Sequence, residues 1–233
     1  MESHASLLGP AEWAALGLSL KVALVATLAS LPFAIVVAYW LAADKLPGRS
    51  LLDALVHLPL VMPPVVTGYL LLVLLGRRGL VGEWLEQHLG IVFAFRWTGA
   101  ALAAAVMAFP LMVRAIRLAY ENTDAGLRQA AASLGAPPVA VFLRVSVPLA
   151  WPGIVAGAVL AFAKALGEFG ATITFVSSIP GQTQTLALSI YNQMQVPGGE
   201  HRLWPMVLLA TGLSFAALFL SEALVRRSRQ RLE

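Results

Sequence analysis

The chain has no cysteine among its 233 residues. A disulfide framework, a thiolate metal site and a cysteine nucleophile are therefore excluded, and nothing about redox compartment follows. Charge is scarce as well. Only 12% of residues are charged against 59% hydrophobic, with a mean hydropathy of +0.79, which is too little polar surface to clothe a soluble domain of this length. No GxxxxGK[ST] stretch occurs, so the chain has no phosphate-cradling loop and cannot itself be an ATPase. HExxH and GxSxG are missing too, the histidines are scattered without helical metal-ligand spacing, and no nucleophile–base pair is visible. These absences remove most enzyme classes and leave an integral membrane protein.

The net charge of +4 is spread along the chain except at its C-terminal end, a pattern of membrane topology rather than of nucleic-acid binding. Apolar segments of spanning length occur at 16–42, 51–75, 97–119, 149–178 and 203–225. Each reaches the roughly 20 residues that a bilayer requires, so an all-α membrane protein of about five transmembrane helices is expected, in a single domain over 1–233. The opening MESHASLLGPAEW has no basic residue before the first apolar run, so the first span is expected to be retained. Arg226, Arg227, Arg229 and Arg231 follow the last span, and Arg114, Arg117, Arg128 and Arg144 surround the central polar segment. Both groups belong inside the cell, which puts the N-terminus outside. Lys45 and Arg49 agree with that orientation, whereas Arg77, Arg78 and Arg96 count against it.

The longest polar interruption is 121–148, ENTDAGLRQAAASLGAPPVAVFLRVSVP. Thr123 or Asp124 is suited to cap a helix with Leu127, Ala130, Ala131 and Leu134 on one side and Asp124, Arg128, Gln129 and Ser133 polar. Gly135 suits the left-handed position past its end, and Pro137-Pro138 start a second helix running to Pro148. Two helices thus meet at a fixed elbow. A lipid-surface helix is the simpler reading of the apolar side. The glycine and paired prolines add a bend that lipid binding does not require, which favours a docking handle for a soluble partner.

Two further stretches break the oily pattern. In 58–79, LPLVMPPVVTGYLLLVLLGRRG, the prolines Pro59, Pro63 and Pro64 distort the second span, and such breaks survive only under other protein or beside a water-lined cavity. Freed carbonyls and Thr67 are candidates to line a pathway; packing at a kink is the alternative. In 163–185, AKALGEFGATITFVSSIPGQTQT, Lys164 and Glu168 stand four apart on one expected helix face. At about 1.5 Å per residue they lie roughly 18 and 24 Å from Pro152, within or near the hydrocarbon. Intramembrane charges face a bundle interior or water. An ion pair that fixes packing and a pathway role for Lys164 both remain open. Thr172, Thr174 and Ser177 then supply hydroxyls within reach of a lysine, the weak and plural donors that would let a tetrahedral oxyanion bind and leave. Back-bonding to helix carbonyls is the alternative. Gly153 and Gly157 allow close helix approach, residues 76–96 read as an outside loop, and 186–202 reads as a short helix with a turn at Pro197-Gly198-Gly199.

The elbow resembles the "EAA" loop of ABC importer permeases, on the strength of Gln129-Ala130-Ala131, Gly135 and Val145-Ser146-Val147-Pro148 at matching spacing. Gln129 stands where the family usually has Glu; it can hydrogen-bond but cannot form a carboxylate-to-arginine contact. LPLVMPPVVTGYLLLVLLGRRG and ALGEFGATITFVSSIPGQTQTLALSIYN look like the molybdate permeases, with tungstate and sulfate permeases as near relatives. The similarity runs from about Trp13 to Val225. It implies the type I ABC importer permease fold, a homodimer around one pathway, and two ATPase subunits docked at cytoplasmic coupling helices. It also implies a periplasmic or extracellular oxyanion-binding protein and location in the bacterial inner membrane. ATPase-coupling residues would be Asp124, Arg128, Gln129, Ala130, Ala131, Leu134 and Gly135. Translocation residues would be Pro63, Pro64, Thr67, Lys164, Glu168, Thr172, Thr174 and Ser177, with Lys164 where similar sequences commonly carry Arg. The chain would hold no cofactor, ATP-Mg belonging to the ATPase. An ion-coupled secondary transporter is the competing class; it needs midplane carboxylates, for which Glu168 alone qualifies, and repeated halves, which are not evident.

Overall fold

The structure, a computed structural model, describes residues 9–43, 47–198 and 200–230. Lys45, Arg231 and the first eight residues, on which part of the topology reading rests, lie outside the described residues. Only helices and turns occur among the described residues. Three helices are long and apolar enough to cross a membrane: α1 (Pro10–Ala42), α5 (Trp97–Glu121) and, in its stretch Leu203–Leu220, α12 (Glu200–Gln230). Two bent pairs bring the number of spans to at most five.

The core is built from small residues. Lipid tails are as apolar as leucine, so helices in a bilayer gain from close van der Waals approach rather than from expelling water. Ala23, Ala26, Ala34 and Ala38 of α1 accordingly lie buried with Ala100, Ala103, Ala104 and Ala108 of α5. Thr27 and Ser30 turn their hydroxyls back to the carbonyls of Ala23 and Ala26 at 2.8 and 2.7 Å, so no polar group is stranded there. Pro32 and Pro110 are carried inside unbroken helices.

Against α5, and also touching α1, packs α9 (Trp151–Leu166), and the Gly153-xxx-Gly157 pair makes the contact with α5. A Cβ on Gly153 would stand 2.2 Å from Cβ of Ala119, and one on Gly157 would stand 3.0 Å from the carbonyl oxygen of Met112. The close approach expected from that spacing is present. By contrast α12 is only 11% buried over its apolar window, leaving most of its surface to lipid or to another chain.

Three expectations need correction. The segment 51–75 is not one continuous distorted helix but α2 (Arg49–Val61) and α3 (Pro64–Leu75), meeting at 113° across Met62-Pro63. Pro63 and Pro64 both lack amide hydrogens, and Pro64 takes the first-turn position of α3, so the chain restarts a helix rather than kinking one. The segment 149–178 is likewise interrupted: α9 stops at Leu166 with Gly167 as its cap, and α10 (Gly170–Val176) begins after a break. Finally, the 76–96 loop contains a helix, α4 (Leu80–Leu89), closed by Gly90 at φ +65. As expected, 186–202 includes a short helix, α11 (Leu186–Met194), followed by a turn.

Replacing Gly153 with Val should force α5 and α9 apart at a cost of about 1–3 kcal/mol or more. Thermal unfolding of the detergent-purified protein checks this, with Gly17→Ala, where an added Cβ meets nothing within 4 Å, expected not to lower the midpoint.

Candidate functional site

Two places depart from simple membrane helices, and each is built from short elements. At the first, Asp124 caps α6 (Ala125–Ser133), accepting from the amide of Gly126 at 2.8 Å. Thr123, the other candidate cap, instead donates to the carbonyl of Ala119 at 2.9 Å and closes α5. At the far end Gly135 adopts φ +84. The amides of Gly135 and Ala136 turn back to the carbonyls of Ala132 and Ala131 at 3.0 and 3.2 Å, satisfying groups that the helix end would otherwise orphan. A Cβ on Gly135 would meet nothing within 4 Å, so the glycine is there for its backbone and not for space.

After the Pro137-Pro138 corner come α7 (Pro138–Val141), a π-helical turn (Phe142–Ser146) and α8 (Val147–Leu149), which meet α9 at 70°. No residue of α6 is buried, and Leu134 just beyond it is 89% exposed. Gln129 and Ala130 are exposed; Arg128 and Ala131 are half-buried. The expected coupling residues therefore sit together on and around one short helix, none of whose residues is buried among the described residues.

The elbow stands on a braced base that the sequence reading missed. Arg117 reaches Asp53 of α2 at 3.0 Å and Glu121 at 2.7 Å, and Arg49 lies 3.7 Å from Glu121. Asp53, Arg117 and Glu121, with His57 and Arg114, border a cavity of about 480 Å³. Tyr39 of α1 stacks edge-on against both Tyr120 and Phe142, at centroid distances of 5.5 and 4.7 Å, so the second arm of the elbow is held to α1 and α5. The available signals were the lone acid Asp53 in an oily stretch and the four-residue spacing of Arg117 and Glu121.

The second place is where the two helix breaks meet. A Cβ on Gly170 would lie 2.7 Å from Cβ of Pro64, and one on Gly68 would lie 2.4 Å from the carbonyl oxygen of Ala171, so α3 and α10 cross in near backbone contact. Glu168 lies in the α9–α10 break, beyond the end of α9. It therefore does not share a helix face with Lys164 as the four-residue spacing suggested, yet the two side chains still meet. Glu168 is 3% exposed; one carboxylate oxygen accepts from Lys164 Nζ at 2.5 Å and the other from the amide of Ala171 at 3.1 Å. One buried carboxylate thus both balances a lysine and caps α10. Lys164 keeps 35% of its side chain exposed.

The remaining polar groups divide. Pro63 and Pro64 are exposed, and the Pro63 carbonyl is engaged by the amides of Val66 and Thr67 at 2.9 and 3.2 Å. Thr67 and Thr172 are buried, the Thr67 hydroxyl without a partner among the described residues. Thr174 back-bonds to the carbonyl of Gly170 at 2.9 Å. Ser177 is exposed, at φ +62. The structure gathers Pro64, Glu168 and Lys164 at the crossing and sets Ser177 at the far end of α10, about 10 Å along seven residues.

Comparison with known proteins decides the family. Residues 20–232 match the model of the binding-protein-dependent transport system inner membrane component. The chain belongs to that family. Members are permeases, multi-pass proteins of the inner membrane, and several are close in sequence. The chain is 56% identical over 220 residues to the molybdenum transport system permease protein ModB of Escherichia coli (strain K12), covering 94% of this chain and 96% of that protein. It is 52% identical to the Haemophilus influenzae protein of the same name, covering 95% and 96%. Among solved structures it resembles a bacterial ABC transporter involved in import of the acidic polysaccharide alginate (TM-score 0.74, 16% identity, 94% of this chain and 80% of that one). It also resembles the MetNI methionine ABC transporter (TM-score 0.68, 18% identity, 95% and 99%). The fold is that of the type I ABC importer permease.

The Lys164–Glu168 pair gives a measurable consequence. Glu168→Gln should lower the unfolding midpoint, because it strands a lysine and weakens the α10 cap, whereas adding Lys164→Met should recover most of the loss. Thermal unfolding of the two single variants and the double variant checks the expected non-additivity.

Proposed function

We propose that the chain is the permease subunit of an ATP-driven importer of molybdate. Two copies enclose one pathway, two ATPase subunits grip α6 of each copy from the cytoplasm, and an oxyanion-binding protein delivers cargo at the opposite face. The observation that carries the coupling half is α6: a capped, rigid helix with no buried residue, in a chain otherwise committed to lipid. The cargo half rests on the identity with permeases named for molybdenum transport. ATP-Mg is held by the ATPase, and the N-terminus lies outside, the basic residues Arg114, Arg117, Arg128 and Arg144 facing the cytoplasm.

The mechanism follows from how the elbow is mounted. ATP closing the partner subunits moves α6, and the Tyr39–Tyr120–Phe142 stack and the 70° corner pass that motion to α9 and so to the Lys164–Glu168 break. At the break the exposed part of Lys164 offers a modest positive field, and the exposed Ser177 hydroxyl at the far end of α10 offers a weak donor, which lets an oxyanion through without trapping it. The same chemistry accepts tungstate or sulfate, and competition against labelled molybdate uptake separates them. Glu168 is already engaged twice, which argues against its serving as the proton carrier of a secondary transporter.

Gly135→Val forces a β-branched residue into a left-handed backbone, and Ala131→Asp puts a negative charge in the last turn of α6, where the helix dipole disfavours it. Each should cut molybdate uptake by about tenfold or more, with loss of the ATPase stimulation that loaded binding protein causes, while a stabilised pool of the protein still reaches the membrane. Unchanged uptake in both variants would overturn the coupling role of α6.

A further inference from the structure

The segment after α10 is held in a shape that its sequence does not favour. Ser177 has φ +62 and ψ −174, a region that a residue with a Cβ occupies only where its surroundings over-determine it. The determinant is one hydroxyl. Thr183 Oγ1 donates to the carbonyl of Ser177 at 3.0 Å and accepts from the amide of Ile179 at 2.9 Å, and Thr183 is 0% exposed. The carbonyl of Ile179 accepts in turn from the amides of Gln182, Thr183 and Gln184 at 3.1, 2.9 and 3.1 Å. Two outside ties complete the ring: Asn192 Nδ2 donates to Ser178 Oγ at 2.8 Å, and the amide of Leu186 donates to Ser19 Oγ of α1 at 2.7 Å.

A loop needed only as a connection gains nothing from this. Glycine at 177 would take this backbone without strain, and glycine does stand at the nearby positive-φ position, Gly181 at φ +73. Instead the position carries a serine whose side chain is exposed and whose Oγ has no partner among the described residues. The geometry points to Thr183 as a positioning residue: it locks the strained backbone of Ser177 so that the Ser177 hydroxyl is presented to a tetrahedral oxyanion passing the end of α10. This rests on the proposed pathway. The charged station at Lys164 and the hydroxyl station at Ser177 then bracket α10, and the cargo is handed between two weak sites rather than held at one.

The test uses the full complex with its ATPase and binding protein in liposomes, reading labelled molybdate uptake, competition by sulfate, and ATP hydrolysis. Thr183→Ser keeps both hydrogen bonds and should transport like the unmodified protein. Thr183→Val keeps the volume and loses both bonds. Uptake should fall about tenfold, the scale of one hydrogen bond to a charged group, with assembly and basal ATP hydrolysis unchanged. Ser177→Ala should show the same fall, and combining it with Thr183→Val should add nothing. Ser177→Gly should raise the unfolding midpoint while lowering uptake, a split that a merely structural role would not produce, and one that decides the matter even where Thr183→Val fails to assemble. Full uptake by Ser177→Ala, or by Thr183→Val, overturns the proposal. The pathway reading is tested separately with Ser177→Cys in this cysteine-free chain. A methanethiosulfonate reagent should block uptake and molybdate should protect; reagent block without protection would sink the pathway reading, whatever the Thr183 variants do.

Discussion

A polypeptide in hydrocarbon has no water to satisfy an unpaired amide or carbonyl, so every interruption of a membrane helix must be covered by the protein itself. This chain interrupts its helices at Met62-Pro63 and at 167–169 and sets α3 against α10 so that the two breaks lie together; Pro63 stays exposed but its carbonyl is taken by the amides of Val66 and Thr67, while Glu168 is buried. Glu168 is the group on which that arrangement hangs. Its two oxygens close the start of α10 and balance the lysine at the end of α9, and its burial leaves neither oxygen to water. Gly68 and Gly170 then let α3 lie against α10 so closely that a methyl group at either position would collide.

The rest of the architecture serves to place that crossing and to move it. α1 and α5 form a dense alanine-rich pair, and α9 is seated on α5 through two glycines, so the break at the end of α9 has a rigid root. At the other end of the same helix unit stands the elbow, exposed and braced by Arg117 with Asp53 and Glu121. In the proposed coupling the elbow is the handle, α9 the arm and the Lys164–Glu168 break the part that moves. The contrast between the well-packed base and the uncovered α6 is what a docking element requires.

Much of this was legible in the residues. Asp124, Gly135 and Pro137-Pro138 specify cap, left-handed exit and restart by local stereochemistry alone, and the structure follows them. Gly153 and Gly157 marked the α5–α9 contact for the same reason: a missing Cβ is a visible cause. What the pattern of apolar residues hid was direction. Hydropathy is blind to a 113° turn, so 51–75 reads as one span, and a run from 149 to 178 conceals the stop at Leu166 because Gly167 and Phe169 are as apolar as their neighbours. Tertiary partners were also out of reach. Nothing local announces that Asp53 will meet Arg117, or that Thr172 and Thr67 turn inward while Ser177 stays exposed.

The central claim is that this membrane chain is moved by an ATPase gripping α6, not by a gradient acting on its own carboxylates. Labelled molybdate accumulation in liposomes tests it most directly, with the chain, its ATPase and the binding protein present and ATP supplied only on the α6 side. The account predicts accumulation that stops when ATP is withheld and persists when the membrane potential and pH gradient are collapsed. Accumulation by the chain alone, or accumulation that follows the gradient and ignores ATP, would contradict it.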